Sequence, residues 1–315
     1  MSDIFEIVKE NDFKRLKDNL KYVNINAKDE NSFSLLHYAV LNNNLEIVRY
    51  LLLNNIDVNS QNNDLNSALH LSVIYNYLGI FKTLIKHNAL IDLKNKDGET
   101  PLMLSIKLKR DEMSNILLSY NAKIDVKNNR DENIVFFASH AGNLKLVLDS
   151  IENNKDLLYS KNMNNDTLLH ISAKLDNYEL TKLLLEKGLE PNILNKDNET
   201  PLFNAARENN IEIASLLINN GALIEFKNKF GETIYDYGNN RFNDFIEFKS
   251  NSLKYVNFKK KYPLIYAIIL NDFDLFNKYL NNVEINKKDD LNLKPIDWAY
   301  KYNRQKFIKI LLNKK

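Results

Sequence analysis

The chain has no cysteine, 7 glycines, 5 prolines and a single tryptophan in 315 residues. Without cysteine there is no disulfide framework, no thiolate nucleophile and no sulfur-liganded zinc site. So few glycines argue against a fold built on glycine-rich phosphate loops. No uncharged apolar stretch reaches the roughly 18 residues of a membrane span, so no transmembrane segment is expected. Nor does the stretch from Met1 to Glu10 place a basic segment before a long apolar core, so no signal peptide is recognisable. Neither sign of charge dominates. The 43 Lys and Arg against 41 Asp and Glu leave a formal net charge of +2, far from the strongly basic profile of a default nucleic-acid binder.

What is present in excess is asparagine, 51 residues or about 16% of the chain. Apolar residues at 44% and charged residues at 27% fall in the ordinary globular range. The length fits about two domains or one extended repeat array. The charge is unevenly spread. Residues 241–315 carry 16 basic and 8 acidic side chains, a net +8, which leaves −6 on residues 1–240.

Self-similarity decides between the two readings of length. Thr100-Pro101-Leu102 recurs as Thr200-Pro201-Leu202, and weaker copies begin at Ser34, Ser67, Asn133, Thr167, Thr233, Tyr262 and Lys294. The successive spacings are 33, 33, 33, 34, 33, 33, 29 and 32 residues. Ser, Thr or Asn opens seven of the nine copies, as an N-cap should, and proline directly after it suits the first helical turn. Five residues after the cap every copy has a small residue, from Ala39 to Ala299, which allows close helix packing. Seventeen and eighteen residues after it stand doublets such as Leu51-Leu52, Leu84-Ile85, Leu184-Leu185 and Leu217-Ile218, the buried stripe of a second helix. Turn formers such as Asn95-Lys96-Asp97-Gly98 close the unit, asparagine standing in for glycine where a left-handed conformation is needed.

Two copies depart from the pattern. The doublet after Asn133 reads Ser150-Ile151, which predicts looser local packing. After Thr233 it reads Ser250-Asn251, the spacing shortens to 29, and Lys254–Lys261 is expected as an irregular turn that couples its neighbours weakly.

A helix, a second helix and a turn every 33 residues resembles the ankyrin repeat, whose T-P-L-H-x-A pattern stands here as Ser34-Leu35-Leu36-His37-Tyr38-Ala39, Ser67-Ala68-Leu69-His70-Leu71-Ser72 and Thr167-Leu168-Leu169-His170-Ile171-Ser172. The resemblance covers nearly the whole chain. It implies an all-α ankyrin-repeat solenoid of about ten stacked helix-turn-helix units with hairpin-like turns. Residues 1–28 read as an N-terminal capping repeat, 29–240 as regular repeats, and 241–315 as divergent C-terminal repeats with a cap.

Chemistry finds little purchase. His37, His70 and His170 share one repeat position, but stacked helices lie about 8–10 Å apart, too far for ligand atoms that must each come within about 2 Å of one zinc ion. The resemblance assigns them instead to local hydrogen bonds at the helix start. His87 and His140 read as surface or turn histidines. No zincin, phosphate-loop, dinucleotide, nucleophile-elbow or EF-hand motif occurs. Acidic pairs such as Asp97 with Glu99 fall at wet turn tips, unsuited to a shifted pKa. A non-enzyme without cofactor or metal is therefore expected.

The resemblance implies a protein-interaction scaffold with a protein partner on its concave face, built from turn tips and the exposed side of the first helices. Counting from each cap, the contact positions in the central copies are Glu99, Lys107, Glu132, Phe137, His140, Lys174, Glu199, Arg207 and Glu208. Tyr38, Phe137 and Tyr237 are the aromatic candidates, each open to the alternative of inter-repeat packing; Arg207 is the leading charged one. A second reading is an anion-directed module that binds nucleic acid or an acidic membrane through the basic C-terminal quarter. A monomer is expected, cytoplasmic or exported to a host cell without a recognisable signal.

Overall fold

The computed structural model describes residues 4–251, 253–270, 272–281, 283–289, 292–301 and 304–314. Residues 1–3 of the expected N-terminal cap and residue 315 of the C-terminal one lie outside the described residues. The chain forms two compact units, Met1–Met163 and Asn164–Lys315.

The first unit is a stack of five helix pairs: α1 (Ile4–Lys9) with α2 (Phe13–Asn19), α3 (Leu35–Leu41) with α4 (Leu45–Leu53), α5 (Ala68–Ile74) with α6 (Leu78–Lys86), α7 (Pro101–Lys107) with α8 (Asp111–Ser119), and α9 (Ile134–Ala141) with α10 (Leu144–Asn153). The second unit opens with two further pairs, α11 (Leu168–Lys174) with α12 (Tyr178–Glu186) and α13 (Pro201–Arg207) with α14 (Ile211–Asn219). A single 3-10 turn, Ile234–Asp236, then stands in place of a first helix. It leads into α15 (Asn240–Ser250), α16 (Leu253–Lys261), α17 (Pro263–Leu270), α18 (Phe273–Leu280), α19 (Pro295–Lys301) and α20 (Gln305–Asn313). No strand forms among the described residues; the turns carry only isolated antiparallel bridges, Lys28 to Ser34 and Gln61 to Ser67.

Each pair follows from its residues. Ser34, Ser67 and Thr100 accept the N–H three residues on, the capping bond that typically contributes about 1 kcal/mol. Asparagine repeats the device at the second helix: Asn44, Asn143, Asn177 and Asn210 each cap the helix that follows. Asn43, Asn76 and Asn209 between the helices, and Asn55, Asn88 and Asn121 after the second helix, all have positive φ. The small residues five after the caps are fully buried in every copy except that of Thr233, where Gly238 is half-buried, and Ser72 and Ser105 keep their hydroxyls bonded to the carbonyls of Leu69 and Leu102, both at 2.7 Å. Leu51, Leu84, Leu117, Leu184, Leu217 and Leu311, first members of the doublets, are all buried, each stabilising the stack by about 2 kcal/mol.

Neighbouring layers are stitched at the turns by ladders with the period of the repeat. Backbone N–H groups of Asn63, Lys96 and Asn129 donate to the carbonyls of Asn31, Asp64 and Asp97 at 2.8–3.1 Å. Lys28 reaches the Gln61 carbonyl, Gln61 that of Lys94, and Lys94 that of Lys127. The N–H groups of Asp57, Leu90 and Lys123 donate to Asn26, Asn59 and Asp92.

Both irregular copies differ from expectation. Ser150 and Ile151 are buried after all, and a 3-10 turn, Lys155–Tyr159, adds buried Leu157 and Leu158 below them, so packing is restored by an extra element. Lys254–Lys261 is no turn; it lies in α16, because the segment holds neither glycine nor proline to stop a helix. Phe242, Ile246, Tyr262, Leu264 and Ile265 carry one hydrophobic core across the junction. The last pairs also turn back. Lys301 pairs with Glu190 at 3.2 Å, although Glu190 precedes the copy at Thr200 and Lys301 ends the first helix of the copy at Lys294. In a regular stack about three layers would separate them.

Candidate functional site

Within each repeat the turn and the first helix are tied together by side-chain hydrogen bonds. Five residues before the cap stands Asp29, Asn95, Asn128, Asn195 or Asn228, whose side-chain oxygen accepts two turn N–H groups, as Asn95 does from Asp97 (3.1 Å) and Glu99 (2.9 Å). Four residues after the cap an aromatic side chain can tie this turn to the helix. Tyr38 donates to Asp29 at 2.5 Å and Trp298 to Asp289 at 2.7 Å, while Asn228 donates to the Tyr237 hydroxyl at 3.0 Å. Burial opposes the charge on Asp29, but the bonds from Tyr38 and from the Phe33 and Asn31 N–H groups hold its carboxyl below the usual range.

The repeated histidines are staples. Ser34 donates backbone N–H and hydroxyl to His37 Nδ1 at 3.0 and 2.8 Å, and Nε2 donates to the carbonyl of Asn66 in the next repeat at 2.9 Å. A carbonyl can only accept, which assigns the proton to Nε2. His70 and His170 make the same bridges to the Glu99 and Glu199 carbonyls at 3.3 and 3.0 Å. Burial pushes His37 below its ordinary pKa and His70 down to about 4.

The residue before the cap pairs with the one seven after it. Lys107 donates to Glu99 at 2.8 Å; Arg207 donates to Glu199 through both terminal nitrogens, at 2.5 and 2.7 Å. Both carboxylates are buried, with their cations partly exposed. The Arg207 guanidinium also lies 4.2 Å from the Tyr237 ring centre, and its bonds to Glu199 raise its pKa further. Tyr237 donates to Glu232, which raises the phenol and lowers the carboxyl.

Against this geometry the expected contact residues divide. Glu99, Glu132 and Phe137 are buried, which corrects their placement on an exposed surface. Glu132 is held by Asn128 and Arg130 at 3.0 Å each, and Phe137 belongs to the core under the groove. Arg207 and Tyr237 come together, engaged with each other and with Glu199. Tyr38 is half-buried between the Phe5 and Phe33 rings, with Lys9 4.8 Å from its centre. Lys174 is exposed. With Ile171, Asn204, Arg207, Glu208, Asp166 and Asp197 it lines a cavity of about 280 Å³, so the turn and first-helix rows face one another across a groove.

In the first unit the same rows hold Lys107, His140 and Asn42 together with several apolar side chains. Leu41 and Ile74 stand seven after their caps, and Tyr75 and Leu108 eight after theirs; Tyr75 is 48% exposed and stacks on Tyr77 at 5.8 Å. The sequence pattern does not single out this patch, because its aromatic expectations rest on the fourth position and its others on charge; Glu208, eight after its cap, is the signal that points to the row. A separate cavity of about 260 Å³ in the second unit is lined by Lys260, Lys261, Lys287, Glu284 and the buried Tyr262. Among the described residues no helix is long and apolar enough to cross a membrane.

The comparison with known families agrees with this architecture. A model of ankyrin repeats matches residues 6–62, 36–128 and 134–228, more than half of the chain. The chain belongs to the ankyrin-repeat family, whose repeats are protein–protein interaction modules. No curated protein matches it.

Proposed function

We propose that the chain is a non-catalytic scaffold that seats a protein partner on the face formed by its first helices and turn tips. The observation that carries this reading is the apolar patch of exposed Tyr75 with the half-buried Leu41, Ile74, Tyr77 and Leu108 around it. Exposed aromatic and aliphatic side chains grouped on one face are characteristic of contact surfaces. Tyr38 lies along the same rows of the first unit and extends the face. The side chains of Asp29, Glu99 and His70 in the same repeats are tied into turns and staples.

The test is capture from lysate with the parent chain and a Tyr75→Ser, Leu108→Ser variant, after circular dichroism and melting have shown both to be folded. Loss of the captured protein with the variant supports the reading; equal capture refutes it. The cavity among Lys260, Lys261 and Lys287 favours a second reading, anion binding. A salt titration separates the two, because affinity for a polyanion falls steeply as counterions are released.

A further inference from the structure

Resting on the anion-binding reading and not on the interaction face, we infer that the cavity beside Tyr262 holds a small phosphate monoester, its phosphate among Lys260, Lys261 and Lys287 and its apolar substituent against the cavity wall. The chain builds this place where α16 meets α17. Helix α16 ends in Lys259, Lys260 and Lys261, and α17, which starts at Pro263, sinks Leu264 and Ile265 into the core. The last two lysines of α16 are exposed at the rim. The segment between α18 and α19 adds Glu284 and Lys287, also exposed. Together they surround a cavity of about 260 Å³ whose wall is Leu264, Val283, Pro295 and the buried Tyr262.

Charge and size define the ligand. Over the whole lining three lysines stand against one carboxylate, a surplus of two positive charges. A phosphate monoester carries about −1.5 to −2 at pH 7, the matching opposite charge. Lys261 and Lys287 lie 4.9 and 5.8 Å from the centre of the same Tyr262 ring, so their flexible stems can bring both ammonium groups to one phosphate. Among the described residues neither Lys260, Lys287 nor Glu284 enters an ion pair. The apolar wall suits a substituent that is not itself charged. A long polyanion is a poorer fit. Lys259 is taken up by Glu225, and from Glu284 to Asp297 three lysines meet four acidic residues, so no continuous basic track leads away from the cavity.

The experiment is isothermal titration calorimetry of the full chain with phenyl phosphate, and with phenol, methyl phosphate and a single-stranded oligothymidylate for comparison. Phenyl phosphate should bind saturably at one site, methyl phosphate several-fold more weakly for want of the apolar body, and phenol not at all. A Lys261→Gln, Lys287→Gln variant should lose roughly tenfold or more, because charge-assisted bonds to phosphate are among the strong ones. Glu284→Gln removes the one carboxylate of the lining and should tighten binding a few-fold. A Lys306→Gln, Lys309→Gln variant makes the same change in net charge at exposed positions of α20 and should bind like the parent. All the substituted side chains are exposed, and circular dichroism checks that each variant is folded. Binding of phenol as tight as that of phenyl phosphate, no loss in the first lysine variant, or an equal loss in the α20 variant would each overturn the inference. If the oligothymidylate binds and phenyl phosphate does not, the small ligand falls and the anion-binding reading stands; if neither binds, both fall.

Discussion

At the residue scale the excess of asparagine is a structural fact. One repeat can use it as turn clasp, second-helix cap and left-handed hinge, as Asn195, Asn210 and Asn209 do within one copy. Where glycine is kept, space sets the reason. A Cβ on Gly98 would meet Asn129 Oδ1 at 2.5 Å and its backbone nitrogen at 2.7 Å, whereas at Gly231 nothing lies within 4 Å. Both have positive φ, so Gly231→Ala should cost about 1–2 kcal/mol, and Gly98→Ala clearly more because the turn ladder must also shift; urea unfolding of the two variants would show it. Histidine supplies the pH dependence. With His70 near 4 when folded and about 6.5 when unfolded, the unfolded chain binds more protons between those values, so stability falls as pH drops through that window. The loss from His70 approaches about 3 kcal/mol by pH 4, and His37 adds in the same direction. Urea midpoints from pH 7 to 4.5 should fall less steeply in a His70→Gln variant; parallel slopes would contradict the staple's neutral tautomer.

At the scale of elements, ion pairs differ by what they leave behind. Arg207→Met strands the buried Glu199 carboxylate and should destabilise by about 2–4 kcal/mol, while Lys82→Met, which breaks an exposed pair with Glu112, should cost less than about 1 kcal/mol. Chemical denaturation of both variants checks the contrast. The helices themselves were largely legible. Caps such as Ser34 and Thr100, the small fifth residue and the leucine doublets recur at one period, so each copy reinforces the next. The element that escaped was α16. There the doublet reads Ser250-Asn251 and the repeat register that located every other helix is lost, yet Phe242, Ile246 and Tyr262 supply the core from other offsets. The site was legible only in part. Spacing found the groove rows around Lys174 and Arg207, but it could not show that Glu99, Glu132 and Phe137 turn inward, since burial depends on partners such as Lys107 and Asn128 one turn away.

At the scale of the whole molecule each unit has its own consequence. In the second, Trp298 lines a cavity of about 130 Å³ with Glu190, Asn192 and Leu223, so the last pairs should unfold with α13 and α14 rather than before them. Trp298 is the only tryptophan, and its emission should change at the denaturant concentration where α13 loses hydrogen-exchange protection; an earlier change would show weak coupling. In the first unit the account's central claim is that function lies on the face of first helices and turn tips. Hydrogen exchange of the chain alone and with its captured protein partner tests this most directly. The account predicts new protection over the turns and first-helix ends, residues 61–66, 71–77, 94–99 and 104–109, with α6 and α8 unchanged; protection gained on α6 and α8, or only around Lys260, Lys261 and Lys287, would contradict it.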